Sequence, residues 1–572
     1  MVNDNSMRWG GRLAARWAQQ AVERLRRQRG SIDSINVFPV ADGDTGSNMY
    51  ATVKSAYRAV EAIDGPATLP RVVEAMAAGA LRGARGNSGL ILAVALRGVA
   101  DELGEAALAE GDLTPDRFAS AIELAAHRAQ TAIAEPTHGT MLTVLHAMAE
   151  TARTQADEGA ELVQQIEAVR SCSIEALRDT TGQLDVLGQA QVVDAGASGI
   201  VEIFDLLYLT VTGGAVGETS SPIAGLTSVV PKLTGDGVTC GGAGGAGAAG
   251  AGAAGAGAAE GAGAAGAGAA GTGAAEGAGV AGAGAATGAD TLELVFTLSD
   301  SKDRTRPLKR ILAKADARSV VISWPMVHVH VTSEAHALRV LRDVEQYGLA
   351  QLRTEDLVNG ANHGPLRAAA AASTAPLMLR AALTGAIAIR LDRGEQAGSL
   401  HDVLSDGTTT VLVADSPEGQ ASINAAAADG VYAIPTGSPI SMVSALAVFD
   451  PHADADDVAE DMADAASLDI RRLCFAGQSA AGPLVYTKTD VLVLSEGRIL
   501  FIEHTPEAAI VEAISRLAAD GDPELITISY GQQATPPMRE AMEDAVRRAY
   551  PEAEAEIFDA DLSGVCADVG VE

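Results

Sequence analysis

Cysteine is scarce: Cys172, Cys240, Cys474 and Cys566 are the four in 572 residues, far apart and never in a ligand-spaced pair. That spacing excludes a zinc ribbon and gives no disulfide framework, so reduced cytoplasm is the simplest setting. Positive charge is also in deficit. With 41 Lys and Arg against 74 Asp and Glu, the formal net charge is -33. Such a surface repels polyphosphate and anionic lipid, which argues against nucleic acid or a membrane surface as a general partner. A polyanionic substrate then needs a local cationic site or a metal. Long apolar runs are missing as well: Met1 to Gly10 holds no signal-like stretch, and no later segment reads as a membrane span. The sequence therefore predicts a soluble, cytoplasmic protein without stable membrane insertion.

What is present is enough apolar residue, 47%, for several cored domains, because a single core rarely grows past about 250–300 residues. From about Gly241 to Gly288 the chain is almost only Gly and Ala, broken mainly by Glu260 and Glu276. This segment has too few large side chains to bury a core and reads as a flexible linker over 214–290. About fifty such residues span roughly 40 Å on average, enough to separate two domains without fixing their orientation.

Before the linker, apolar residues recur at spacings of three and four. They do so over Trp9 to Arg27, Ala51 to Ile63, Leu69 to Gly79, Gly89 to Glu102, Pro115 to Ala134, Thr140 to Gln155, Glu158 to Thr180 and Gly199 to Val211. The pattern predicts an all-α domain over 8–213, a helical barrel or bundle. After the linker, strands alternate with helices. A small α/β middle domain is expected over 291–365, with strands at Leu292 to Leu298, Val320 to Ser323 and Val327 to Thr332. A larger α/β domain is expected over 376–572, with strands such as Ala386 to Leu391, Thr410 to Ala414, Val431 to Ile434, Val491 to Leu494 and Leu525 to Tyr530.

Chemistry concentrates in the loop Asn36-Val37-Phe38-Pro39-Val40-Ala41-Asp42-Gly43-Asp44-Thr45-Gly46-Ser47-Asn48. Carboxylates at Asp42 and Asp44, separated by glycine, can both face one hard cation, and a Mg²⁺ ion so held is completed by water and phosphate oxygens. An EF-hand is a poor alternative, since the twelfth position counted from Asp42 is Val53, where a bidentate Glu is needed. An ordinary surface turn would use the same Asp and Gly residues. Three further loops count against that bland reading. Gly83-Ala84-Arg85-Gly86-Asn87-Ser88-Gly89 precedes an apolar helix, which Asn87 or Ser88 can cap while free N–H groups face a phosphate. Pro136 to Leu142 and Val192 to Gly199 begin two more helices.

These four loops, in this order over about residues 8–213, resemble the nucleotide-binding (DhaL) domain of the dihydroxyacetone kinases, in the variant found in the ATP-binding subunit of bacterial fatty acid kinase. The similarity is closest at Asn36 to Met49 and at Gly83 to Leu92. The later domains are similar in layout to that subunit, the last one to the DegV-like fold of its fatty-acid-binding partner. The resemblance implies that Asp42 and Asp44 hold Mg²⁺, two ions in all, as the catalytic carboxylates, with Asn36 standing near the place of a third carboxylate. It implies that Thr45, Gly46 and Asn48 meet the phosphates of ATP, that Asn87, Ser88 and Gly89 form the phosphate turn, and that Thr140 and Met141 lie beside the nucleotide. Asp194 and Gly196 correspond to a last loop that closes over the nucleoside.

The activity so implied is phosphorylation of a fatty acid carboxylate, presented by a separate fatty-acid-binding protein, to give an acyl phosphate. A glycerone-type kinase and a non-catalytic nucleotide-binding regulator are the alternatives. Val327-His328-Val329-His330-Val331 places two histidines on one strand face, a workable start for zinc. Some family members complete such a site with a cysteine on the first strand. Here that strand reads Leu292-Glu293-Leu294-Val295-Phe296, so the expectation is two histidines on a half-exposed strand without zinc. Where relatives carry a Gly-Gly-Gln-like loop, residues 392–399 differ, which points the C-terminal domain to partner docking or dimerisation.

Overall fold

The computed structural model describes residues 10–39, 41–104, 113–134, 136–214, 221–223, 291–357, 364–391, 397–405, 407–476, 487–495, 497–518, 521 and 523–572. The whole Gly/Ala segment from Gly241 to Gly288, and residues 392–396 of the variant loop, lie outside them.

Among the described residues, nine helices make the N-terminal part: α1 Gly11–Asp33, α2 Thr45–Glu61, α3 Leu69–Arg82, α4 Gly86–Leu103, α5 Pro115–Ala132, α6 Met141–Asp157, α7 Leu162–Gln183, α8 Asp185–Ala190 and α9 Ala195–Thr212. The sequence pattern located eight of them. It missed the short α8, and it began α2 and α4 too late, because Gly, Ser and Asn in their first turns look like loop. Those residues serve close packing: a side chain on Gly46 would collide with the carbonyl of Arg29 on α1.

Helix α9 is long and apolar enough to cross a membrane by length and composition, which the sequence reading overlooked. Here 78% of it is buried among α1, α2, α6 and α7, so its apolarity is that of a core helix. It also carries two buried acids. Arg24 of α1 donates to Glu202 at 2.6 Å and lies 3.5 Å from Asp205, which Arg170 of α7 holds at 2.6 Å. Ser221 also donates to Glu202. Burial pushes the Glu202 carboxyl up in spite of its arginine.

The remainder is α/β. The first sheet contains β1 Leu292–Leu298, β2 Arg318–Ser323, β3 Met326–Val331, β4 Leu349–Asp356, β5 Arg367–Ala371, β6 Ile387–Ile389, β7 Thr410–Ala414 and β8 Val431–Ala433, in the order β2-β3-β1-β4-β6-β5-β7-β8. It is antiparallel from β2 to β6 and parallel from there to β8. Its helices are α10 Thr305–Lys314, α11 Glu334–Val344, α12 Ala375–Leu383, α13 Ala397–Leu404, α14 Pro417–Ala426, α15 Pro439–Ala447 and α16 Ala455–Ala466. A second sheet, β9 Ile470–Phe475, β10 Val491–Ser495, β11 Arg498–Glu503, β12 Leu525–Tyr530, β13 Glu554–Asp559 and β14 Ala567–Val571, packs with α17 Pro506–Leu517 and α18 Pro536–Ala549.

The boundary expected between 365 and 376 does not interrupt the first sheet. Strand β5 begins at Arg367, and β4 pairs with β6 across the gap. The period-two pattern that marked the strands could not show which strands pair.

Alternation fixes the faces of β1, β3 and β4. Leu294, Phe296, Val327, Val329 and Leu352 enter an apolar core with α10, α11 and α12. The opposite face meets the helical part, and Val321 and Met326 join that part's core. Ile133 bridges to Val321, the Ala134 N–H donates to the Val320 carbonyl at 3.0 Å, and Lys309 donates to the carbonyls of Thr131 and Ile133. A long linker leaves orientation open, but this packing closes it: helical part and sheets belong to one unit.

Removing Arg24 leaves two acids buried in α9. Arg24→Met is expected to lower unfolding free energy by about 3–5 kcal/mol, as is usual when one partner of a buried ion pair is lost. Chemical denaturation of the two proteins at pH 7 checks this.

Candidate functional site

The Asp42 loop takes its shape from the end of α1. Asp33, which sequence reasoning passed over, accepts from the Ser47 N–H at 3.0 Å and from its hydroxyl at 2.8 Å. It thus does the capping work at the start of α2. Asp44 occupies the N-cap position yet makes no side-chain cap bond, so its carboxylate is left to face the cavity in front of the helix. There Asn48 donates to Asp44 at 2.8 Å, and the buried Asn36 donates to Asp42 at 2.5 Å. Gly43, at φ +71°, makes the left-handed turn that lets both carboxylates face the same side. Burial and the neighbouring Asp42 push the Asp44 carboxyl up to about 8.

The start of α4 faces them. Asn87 and Ser88 do not cap this helix, as the sequence suggested; they lie inside its first turn, and Arg85 holds the cap position without a side-chain cap bond. The anion at this N-terminus is Glu293 of β1, which accepts the Gly86 N–H. Gly86 has φ +56°, and a Cβ on it would collide with the Asn48 amide nitrogen. The first turns of α2 and α4 therefore approach as closely as glycine allows. Asn36, Asp42, Asp44, Thr45, Asn48, Asn87 and Ser88 line one small cavity, together with Glu293 and His330.

Two more helix starts adjoin it. Thr140 caps α6 by accepting from the Leu142 N–H at 3.4 Å. Asp194 caps α9, accepting from the N–H groups of Ala197 and Met141, while burial still pushes its carboxyl up to about 6. Gly196 lies between Met141 and the Ser88 hydroxyl. Gly46 and Gly89 play another part: the space beside each is filled by a neighbouring helix, Arg29 for the first and Thr52 for the second. Both permit close helix packing.

His328 and His330 are buried, at 0% and 2% exposure, where a half-exposed strand was expected. The cause is the helical part, which covers this face of the sheet. The first strand also supplies the third donor it was thought to lack. Glu293 stands opposite His330 in the β1–β3 register, and its carboxylate lies 3.6 Å from His328 and 3.7 Å from His330. Burial raises the Glu293 carboxyl, but the two histidines and the Gly86 N–H outweigh it and hold the group below its usual range. Burial pushes His328 down to about 4. These donor atoms all lie within 4.8 Å of one another, so the ground for excluding a metal here, a missing third donor, does not hold.

A cavity with two carboxylates and two asparagines on one side and a helix N-terminus on the other suits a polyphosphate with its cation. Residues 39–209 match the DAK2 domain, and residues 403–572 match the FakA-like C-terminal family of the fatty acid kinases. The chain therefore carries a DAK2 domain, a domain of kinase type, in its helical part and a FakA-like domain at its C-terminal end. Protein YloV of Bacillus subtilis is 32% identical over 206 residues, 36% of each chain. An uncharacterized protein of Staphylococcus haemolyticus is 31% identical over 206 residues, again 36% of each, and one of Staphylococcus epidermidis is 32% identical over 195 residues, 34% of each. The matched part thus spans about a third of the length of these curated relatives.

Gly86→Ala tests the close approach of α2 and α4. A methyl group must displace Asn48, so ATP affinity is expected to fall about tenfold or more, equivalent to about 1.4 kcal/mol, with the helical content by circular dichroism unchanged. Calorimetric titration with Mg²⁺·ATP reads the difference.

Proposed function

We propose that this chain is the ATP-binding catalytic subunit of a two-component fatty acid kinase, acting in the cytoplasm. The observation that carries the reading is the cavity itself, with Asn36, Asp42, Asp44 and Asn48 facing the first turn of α4, in a chain whose C-terminal region is FakA-like. The acceptor is a fatty acid carboxylate. A separate fatty-acid-binding protein of DegV-like fold presents it, and residues 376–572 serve to dock that partner or a second copy of the chain.

The residues fit Mg²⁺. Among the described residues, the side-chain oxygens of Asn36 and Asn87 are buried without a hydrogen-bond partner, and Asp42 and Asp44 crowd each other at a cost that a cation would offset. Asp42, Asp44 and Asn36 would hold the metal, which when bound neutralises charge on the β- and γ-phosphate oxygens of ATP. The chain's own groups do the rest. The first-turn N–H groups of α4, at Asn87 and Ser88, donate to phosphate oxygens, and the helix dipole favours negative charge there. Thr45 and Asn48 position the phosphates from the α2 side. Thr140, Met141, Asp194 and Gly196 form the neighbouring wall for the nucleoside.

The acceptor needs no general base, because a carboxyl group with a pKa near about 4–5 is already ionised at neutral pH. One carboxylate oxygen forms a bond to the γ-phosphorus. The bond from that phosphorus to the β,γ-bridging oxygen breaks, and its electron pair leaves with ADP. No proton moves.

Trapping with hydroxylamine tests the reaction: acyl hydroxamate is expected from this protein, Mg²⁺·ATP, oleate and a candidate partner. Asp42→Ala is expected to lower the rate by about 100-fold or more, and omission of the partner should nearly abolish it. Product from dihydroxyacetone in place of oleate would overturn the carboxylate acceptor, and tight ATP binding with no transfer to either would overturn the kinase.

The Asp44 carboxyl adds a pH dependence. Raised to about 8, it is mostly protonated at pH 7, and a metal takes the deprotonated form. Mn²⁺ affinity should therefore rise with pH up to about 8 and level off above, by about tenfold per unit where one proton is displaced. Calorimetry from pH 6 to 8.5 checks the slope, which Asp44→Asn should flatten.

A further inference from the structure

A cleft of about 2080 Å³ runs between the helical part and the first sheet. It is several times the size of an ordinary small-molecule pocket. Its lining is at odds with the rest of the chain: eight Arg or Lys side chains against four Asp or Glu, in a protein of net charge -33. The cleft ends beside the phosphate cavity, since Glu293 borders both and Arg85 immediately precedes Gly86.

Three guanidinium groups converge at that end. Arg85 comes from the cap position of α4 and makes no hydrogen bond or ion pair among the described residues. Arg353 projects from β4, on the sheet face shared with His328, and donates to the Arg82 carbonyl at 3.0 Å. Arg367 opens β5 and is held by the Val403 carbonyl at 2.5 Å and the Thr408 hydroxyl at 3.2 Å. Burial, and then the neighbouring Arg85 and Arg367, push Arg353 down to about 10. The nearby acids offset this only in part. Glu355 stands directly opposite Glu293, and burial together with Glu293 pushes its carboxyl up to about 7.

Like charges gathered in a partly buried place are costly unless an anion completes them. The polyphosphate has its own seat on the Asp42, Asp44 and α4 side. The second anion of the proposed reaction is the acceptor, which must reach the γ-phosphorus without being repelled by it. We infer that Arg85, Arg353 and Arg367 seat the anionic head group of the acceptor, a fatty acyl carboxylate, which enters through this cleft. The inference rests on the kinase reading above for the identity of the anion. Planar guanidinium groups suit a carboxylate because two N–H groups can meet its two oxygens. The remaining volume leaves room for the protein surface that presents the acyl chain.

The test is calorimetric titration of the full chain, saturated with Mg²⁺·ADP, by decanoate, by decylphosphonate as a stable anionic analogue of the product, and by decanol as the uncharged control. Decanoate and decylphosphonate should bind and decanol should not. Arg85→Gln and Arg353→Gln should each weaken decanoate by about tenfold or more, the usual cost of losing a charge-assisted contact, and Mg²⁺·ADP affinity should stay within about twofold. If Arg353→Gln fails to fold by circular dichroism, Arg85→Gln decides alone, because that side chain bonds to no other described residue. Decanoate binding no better than decanol, unchanged decanoate affinity in the variants, or a parallel loss of Mg²⁺·ADP would each overturn the inference. Its failure is distinct from failure of the kinase reading. Acyl phosphate formed by both variants with wild-type kcat and KM removes the seat and leaves the kinase. Decanoate bound through the arginines, with no acyl phosphate from any partner, removes the kinase and leaves the seat.

Discussion

The site depends on the backbone N–H groups left open at helix starts. Four helices, α2, α4, α6 and α9, begin in one neighbourhood, and each start exposes donors that want a negative partner. Three acids answer the four starts. Asp33 serves α2, Asp194 serves α9 and reaches across to α6, and Glu293 from the sheet serves α4. Because Asp33 does the capping of α2, Asp44 is spared for the cavity. The glycines follow from the same constraint, for only Gly86 lets the first turn of α4 stand against Asn48.

The bond from Gly86 to Glu293 is also one of the places where the helical part meets the sheet. The sheet turns its apolar alternate residues into its own core and its polar ones toward the helices. Glu293, His328, His330, Arg353 and Glu355 thereby come to surround the start of α4, although they lie more than two hundred positions later in sequence. The result is a cavity bounded by both parts and, next to it, a cationic cleft in an otherwise acidic protein.

Local pattern carried a good deal of this. Apolar spacing located eight of the nine described N-terminal helices, and strands β7 and β12 run over the residues that alternation marked, Thr410–Ala414 and Leu525–Tyr530. While Asn36 and Asn48 came in through the resemblance to the dihydroxyacetone kinase nucleotide-binding domain, Asp42, Asp44, Asn87 and Ser88 were legible from the Gly-rich loops themselves. Three features were not. Asp33 sits at the end of a helix with no motif around it, and its role needs the fold of the next loop. The starts of α2 and α4 look like loop because their glycines serve close packing on α1 and on one another. The burial of His328 and His330 depends on a partner surface that strand periodicity cannot see.

By itself the sequence determined the residue types at the site and the class of chemistry they suit, because turn residues, helix caps and period are local properties of the chain. Only the tertiary structure decided which carboxylate caps and which faces the cavity, that Glu293 completes the histidine pair, and that Arg85, Arg353 and Arg367 share one end of a cleft. Those outcomes are set by packing between segments far apart in the chain, and such packing leaves no periodic trace in any one of them.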